Sequence, residues 1–380
     1  PKSMPVVWKR ASYGIRKGGY GRINVGNIIE QTQSHIMEKK INKVAVVILN
    51  WNGSALMERF LPSVVRYSPK DEADVVVADN GSTDDSLAML AEKFPTVRII
   101  RFDRNYGFAE GYNQALKQIE NPYCVLLNSD VEVAPGWLDA PLRLLENDPS
   151  LVAVQPKIIA ERQRDTFEYA GACGGFMDKY GYPFCRGRVF QVVEKDNGQY
   201  DTDIDILWAT GACLFIRTGI YKEAGGLDSG FFAHQEEIDL CWRLRSRGYR
   251  LVCTPQSTVY HVGGGTLNAE SPRKTFLNFR NNLLMLYKNL PEKELRPVMR
   301  LRFWLDYIAA TKFLLCGHPR NALAVYRARK EFHRLLPEYK QKREENLRLS
   351  RLVPIPELKS YSLLTQFYLK GKKHYDELPQ

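Results

Sequence analysis

Residues 43–52 read KVAVVILNWN, six apolar residues in unbroken succession closed by Asn50-Trp51-Asn52. Alternating polarity would mark a strand with one wet face. An uninterrupted, β-branched run of this length marks a strand covered on both faces, as in a parallel sheet. Outward from it, the pattern repeats. SALMERFLPSVVRY (54–67) has a helical period, with Ser54 at an N-cap position. DVVVADN (74–80) is a second covered strand, and SLAMLAEKF (86–94) a helix capped by Ser82 or Asp84. TVRIIRF (96–102) and the Gly-opened GFAEGYNQALKQI (107–119) form a third pair. YCVLLNSD (123–130) is a fourth strand, with a helix expected from Pro135-Gly136-Trp137. Strand–helix alternation over roughly 110 residues predicts right-handed βαβ crossovers and an open α/β sheet. Such sheets bind ligands at the carboxyl ends of their strands.

The second half is less regular. Residues 151–206, with AGACGGFMDKYGYPFCRGR at 170–188, read as a loop-rich substrate lid. LWATGACLFIR (207–217) is a further strand, IDLCWRLRSRG (238–248) a helix stopped by Gly248, and YRLVCTPQSTVYHV (249–262) a return to the sheet. Ser271-Pro272 opens a long helix, and 298–380 is helical, basic and interleaved with aromatics. The expected division is a basic N-terminal extension (1–42), a catalytic domain (43–290, halves 43–150 and 151–290) and a basic helical region (291–380). Met37 is the expected natural start.

Of the 380 residues 44% are hydrophobic and 26% charged, as in a globular protein. The net charge of +11 divides into +6 for 1–42, −7 for 43–269 and +12 for 270–380. An acidic middle between basic ends argues against a nucleic-acid binder. It fits a metal-using catalytic domain with a tail suited to anionic lipid or a diphosphate. Seven scattered cysteines without C-x-x-C spacing favour a reducing, cytoplasmic compartment. The most apolar long stretch, 298–317, is interrupted by Arg300, Arg302, Asp306 and Lys312, so no spanning helix is expected.

Four acidic or imidazole features stand where strands end. Asp79, before Asn80-Gly81-Ser82, reads as turn chemistry or as an acceptor for the imide N–H of uracil or thymine. Asp130 with Asn128 either caps a helix or offers oxygens to Mg²⁺ or Mn²⁺. Glu236, Glu237 and Asp239 either complement a helix dipole or poise a general base, since crowded carboxylates raise one another's pKa. His261, before Val-Gly-Gly-Gly, is a structural imidazole or a metal ligand. Arg273, Lys274, Arg280 and Lys288 form a solvated helix face or bind a diphosphate.

The ordered set VAVVILNWNG, VVVADNGSTDDS, NYGFAEGYNQAL, LLNSDVEV, FFAHQEEIDLCWRLRSRGY and YHVGGGT resembles the family 2 glycosyltransferases, nearest to rhamnosyltransferase-type enzymes of bacterial cell-surface polysaccharide assembly. The resemblance covers about residues 43–290. It implies a GT-A fold: a doubly wound, mainly parallel sheet flanked by helices, with a helical C-terminal extension. It places Asn50 and Asn52 at the nucleotide end of the first strand and Asp79 on the pyrimidine. Asn105, Gly107, Gly111, Asn113 and Ser129 line the nucleotide-sugar pocket, with Arg280 on the diphosphate. Asn128 and Asp130 occupy the D-x-D position for Mg²⁺ or Mn²⁺, with His261 as a later ligand; Glu236-Glu237 takes the place of the usual Glu-Asp pair. Asn128 for Asp weakens the metal site, and Glu237 is one methylene longer than the usual base.

The implied activity is inverting transfer of a sugar, rhamnose by the nearest branch, from a dTDP- or UDP-linked donor to a glycan or lipid-linked acceptor. The expected location is the inner face of the cytoplasmic membrane, touched through the C-terminal helices. A packed helical subdomain or a homodimer contact explains those helices equally well. The alternatives are a sugar-nucleotide pyrophosphorylase, for which NWNGSALMERF lacks the Gly-rich triphosphate loop, and a non-catalytic nucleic-acid- or membrane-binding protein. A NAD-dependent dehydrogenase is excluded by the missing G-x-G-x-x-G.

Overall fold

The computed structural model describes residues 41–263 and 271–379. The expected extension at 1–42 and the glycines after Gly263 therefore lie almost wholly outside the described residues. In the first half the strands are β1 (Val44–Asn50), β2 (Ala73–Asp79), β3 (Arg98–Arg101), β4 (Tyr123–Asn128) and the short β5 (Val131–Val133). Between them run α1 (Ser54–Tyr67), α2 (Ser86–Lys93) and α3 (Gly107–Lys117), and α4 (Asp139–Asn147) follows β5. Then come β6 (Leu151–Ala160), β7 (Gly175–Asp178), β8 (Pro183–Cys185), β9 (Arg188–Val189), β10 (Val192–Val193), β11 (Ile204–Asp205) and β12 (Cys213–Arg217). The remainder is α5 (Thr218–Glu223), α6 (Glu236–Ser246), β13 (Arg250–His261), α7 (Pro272–Asn289), α8 (Glu292–Leu315), α9 (Pro319–Leu349) and β14 (Leu358–Lys359).

The main sheet has the order β11-β13-β6-β12-β4-β1-β2-β3, with β5 against β13. β1 pairs in parallel with both β2 and β4, while β12 is antiparallel to β4 and β6. Six of the nine strands thus share one direction, and the chain reverses its winding between β1 and β4. The run that opens the domain is covered on both sides as expected. Val44, Val46 and Ile48 join one core, with Val77, Val125 and Leu127, while Ala45 and Val47 join the other, with Ala78, Tyr112 and Leu126.

Three expectations need correction. Helix α4 begins at Asp139 rather than at Pro135, because Val131–Val133 first extends the sheet against β13. Residues 151–206 are no loop-rich lid. β6 lies inside the main sheet, and β7–β10 build a second, five-stranded sheet completed by β14. Its Phe176 and Phe184 are buried against Tyr375, with ring centroids 5.3 and 6.3 Å away. The strand and aromatics that complete this packing come from the far end of the chain, so the local sequence shows only short strands and glycines. Residues 350–379, expected to be helical, form no α-helix and instead add β14 to this second sheet.

Candidate active site

Open α/β sheets bind ligands where the winding reverses, and polar residues gather at the ends of β1 and β4. Asn50 donates from Nδ2 to Asp79 Oδ1 (3.1 Å) and to Ser82 Oγ (3.1 Å), while Ser82 N–H donates to Asp79 Oδ2 (3.1 Å). Asn52 accepts from Thr83 N–H at 2.7 Å, so the two strand-end loops brace each other. The turn chemistry expected of Asp79 is therefore real, and it also fixes a buried carboxylate at the end of β2. Buried Asn50 Oδ1 has no hydrogen-bond partner. A Cβ at Gly53 would stand 2.6 Å from that oxygen and 3.7 Å from Ser129 Oγ, so the ends of β1 and β4 meet closely.

Asn80, which the sequence reading passed over, is a hub. Its Oδ1 accepts from Tyr106 N–H (2.9 Å), and its Nδ2 donates to Asn105 Oδ1 (3.2 Å) and Gly107 carbonyl (3.0 Å). Gly107 has φ +79, and a Cβ there would stand 2.6 Å from the Phe232 ring. A Cβ at Gly111 would crowd Leu49 at 2.9 Å. These glycines let α3 close against β1 and the Phe232 loop.

Asn128, Asp130 and His261 converge. β5 pairs with β13 so that Val131 faces His261, which sets Asp130 beside the imidazole. His261 Nε2 lies 3.1 Å from Asp130 Oδ1 and 3.4 Å from Asn128 Nδ2, and Nδ1 lies 3.5 Å from Glu168 Oε1. Burial opposes the imidazolium, yet the carboxylates of Asp130 and Glu168 outweigh it and raise His261 to about 10. The pair accommodates a positive charge, here a proton. Hard divalent ions accept such an oxygen–imidazole pair and complete their shell with phosphate oxygens and water. The donor set fits a cation shared with a diphosphate. It does not fit an all-protein cage, since no group of three or more His, Cys, Asp or Glu among the described residues could hold a metal. Glu168 carried no sequence signal, because it belongs to the segment taken for a lid.

The third wall is the start of α6. Gly211 and Ala212 separate it from β4: Asn128 N–H donates to Ala212 carbonyl at 3.0 Å, and a Cβ at Gly211 would lie 4.0 Å from Glu237 Cβ and 3.1 Å from Phe108. Glu236 is buried and Glu237 half-buried; Oε2 of each is buried without a partner. Burial pushes Glu237 up to about 7, and burial with the neighbouring Glu237 and Asp239 charges pushes Glu236 well above the carboxylate range. Both carboxyls are thus harder to ionise than a free glutamate. Upstream, Phe232, His234 and Gln235 all hold left-handed φ values of 65, 71 and 69°. Such backbone costs of order 1–3 kcal/mol per residue and persists only where packing enforces it. Burial, with the Lys274 charge adding, lowers His234 to about 4.

Three expected site residues have other work. Asp239 is fully buried, and its carboxylate accepts from Arg243 Nε (2.9 Å), Lys288 Nζ (2.7 Å) and Asn289 Nδ2 (2.9 Å), so no oxygen is left for an acceptor hydroxyl. Asn113 accepts from Tyr221 Oη and Leu227 N–H and donates to the Leu227 carbonyl, stapling the 224–228 loop. Arg280 donates to the carbonyls of Gly230 and Phe231 at 2.9 and 3.0 Å and so supports the strained loop.

Residues 45–222 match the family model for Glycosyl transferase family 2. This part of the chain is similar to family 2 glycosyltransferase domains. The chain is 26% identical over 234 residues to an N-acetylglucosaminyl-diphospho-decaprenol L-rhamnosyltransferase of Mycobacterium tuberculosis, a match covering 57% of this chain and 75% of the relative. It is 25% identical over 232 residues to the O-antigen biosynthesis protein RfbC of Myxococcus xanthus, covering 60% of this chain but only 18% of that much longer protein. In fold it is similar to GalNAc-T7, solved with UDP, GalNAc and Mn²⁺, with a TM-score of 0.56, 16% identity, and coverage of 88% of this chain and 58% of the other.

Proposed function

We propose that this glycosyltransferase moves a sugar, rhamnose by its mycobacterial likeness, from a dTDP- or UDP-linked donor to a hydroxyl of a lipid-linked glycan, with inversion. The observation that carries the reading is the shared wall at Gly211–Ala212, beside which lie the Asn128–Asp130–His261 cluster and Glu237, whose Oε2 has no hydrogen-bond partner. Asp79 and Asn50 hold the pyrimidine end of the donor at the β1 and β2 termini. Glu237 accepts the acceptor proton, and the resulting oxygen attacks the anomeric carbon opposite the departing diphosphate. Asp130 and His261, with Asn128 beside them, would hold a divalent cation. When bound, it neutralises charge developing on the leaving diphosphate. The name of the mycobacterial relative supports the lipid-linked acceptor and the rhamnosyl donor.

Calorimetry with UDP and dTDP, with and without Mn²⁺ or Mg²⁺, followed by turnover of the corresponding sugar donors, tests this. Binding of one nucleotide that tightens with the cation, weakens in Asp130→Ala and leads to sugar release is expected. Absence of nucleotide binding under every condition overturns the proposal.

A further inference from the structure

We infer that the outer faces of α8 and the first half of α9 form a docking surface for an anionic lipid bilayer. Fourteen large hydrophobic side chains are exposed among the described residues, and seven of them fall between Phe303 and Tyr326. They are ordered. Trp304, Ile308 and Leu315, exposed by 66, 65 and 84%, recur at helical spacing along one stripe of α8; Leu323 and Tyr326 continue the exposed apolar surface on α9. Solvent-facing apolar groups at such density mark an interaction surface.

The charges indicate what the surface meets. Between 295 and 330 the chain has a single acidic residue, Asp306. Asp306 is buried, bonded to Arg302 at 3.1 Å and Arg329 at 2.6 Å, so two of the charges that interrupt the apolar stretch are turned inward and neutralised. The charged side chains left outside are Arg296, Arg300, Lys312, Arg320, Arg327 and Lys330, all positive. Apolar residues with aromatics, rimmed between 295 and 330 by cations, with Glu292, Glu294 and Glu331 beyond that stretch, suit a helix lying in the interface of an anionic membrane. The same uniform charge opposes a second copy of this face. None of the described helices is long and apolar enough to cross a membrane, so the contact is peripheral. It extends the reading of a lipid-linked acceptor and rests on that reading for its purpose, but its support comes from residues outside the candidate active site.

The full-length protein is floated with vesicles of phosphatidylcholine alone and of phosphatidylcholine mixed with phosphatidylglycerol, at low and high salt. Flotation only with the anionic vesicles is expected. It should fall roughly tenfold or more in Trp304→Ser/Leu315→Ser, in Arg300→Glu/Lys312→Glu, and at high salt. These side chains are exposed, so thermal melts of both variants should match the parent. No flotation at low salt, or equal flotation of parent and both variants, overturns the inference. So does sedimentation showing a parent dimer that the Trp304/Leu315 variant loses while neither binds vesicles. Turnover with a water-soluble acceptor separates the two proposals: an active protein that does not float removes the membrane face alone. A floating protein without nucleotide binding removes the transferase reading alone.

Discussion

At the scale of single residues, Glu237 and Glu236 show how one helix start assigns different tasks to adjacent carboxyls. Glu237→Gln should lower kcat by about 10²-fold or more while leaving the calorimetric donor Kd nearly unchanged. A base must be ionised to take a proton. Turnover of the parent should therefore climb as pH rises through about 7 and level off above it. Glu236 behaves differently, because burial and the neighbouring Glu237 and Asp239 raise its folded pKa well above that of the unfolded chain, about 4–5. The folded state then binds more protons than the unfolded one, and stability declines as pH rises from there toward the folded pKa. Glu236→Gln should raise Tm by roughly 2 °C or more near pH 8 and by almost nothing near pH 4. Asp79→Ala should weaken nucleotide binding about tenfold or more for every sugar donor, since charge-assisted hydrogen bonds contribute ~1.5–3 kcal/mol. Asp79, Asp130 and His261 were legible because each is a polar residue closing an apolar run, and Glu237 because three carboxylates crowd four positions. Asn80 and Glu168 were not, because their importance lies in partners distant along the chain.

Among elements, the segment 231–235 is the instructive one. Its carbonyls do two jobs: Phe232 accepts from Phe108 N–H at 2.9 Å, at the start of α3, while Phe231, Ala233 and His234 accept from Asn281 Nδ2 at 2.8–3.0 Å. Asn282 adds a bond to Gln235 Oε1 at 2.9 Å. Helix α7 thereby holds the left-handed residues that aim Glu236 and Glu237. Asn281→Ala should cost about 1–3 kcal/mol of stability, read from denaturant melts, and reduce kcat more than it raises KM. Periodicity located α3, α6 and α7 closely, and Gly248 (φ +93) ends the Glu236–Ser246 helix region as its composition indicated. Nothing in Phe-Ala-His-Gln signals positive φ, since those angles are imposed by the asparagines of another helix.

For the whole molecule, α9 is bound into the catalytic unit. Tyr339 and Phe332 are buried, Lys342 bonds Asp228 at 2.8 Å, Arg343 bonds the Leu290 carbonyl at 2.7 Å, and Asn346 bonds the Lys288 carbonyl at 3.1 Å. Farther on, Leu363, Phe367 and Tyr375 enter the same core as the second sheet. A chain ending at Leu290 should therefore lose its cooperative melt and expose these surfaces to proteolysis, whereas exposed substitutions on α8 should not. Composition and hydropathy order by themselves determined the α/β class, the covered parallel strands, the polar strand ends and the basic character of the C-terminal helices. These follow from residues within one strand or helix of each other. Tertiary structure alone decided that Asp239, Asn113 and Arg280 serve the scaffold, that Glu168 flanks His261, and that residues 151–206 pack as a sheet closed by β14. Each of those outcomes depends on which buried partner a side chain meets across tens to hundreds of residues, and local pattern carries no record of such a meeting.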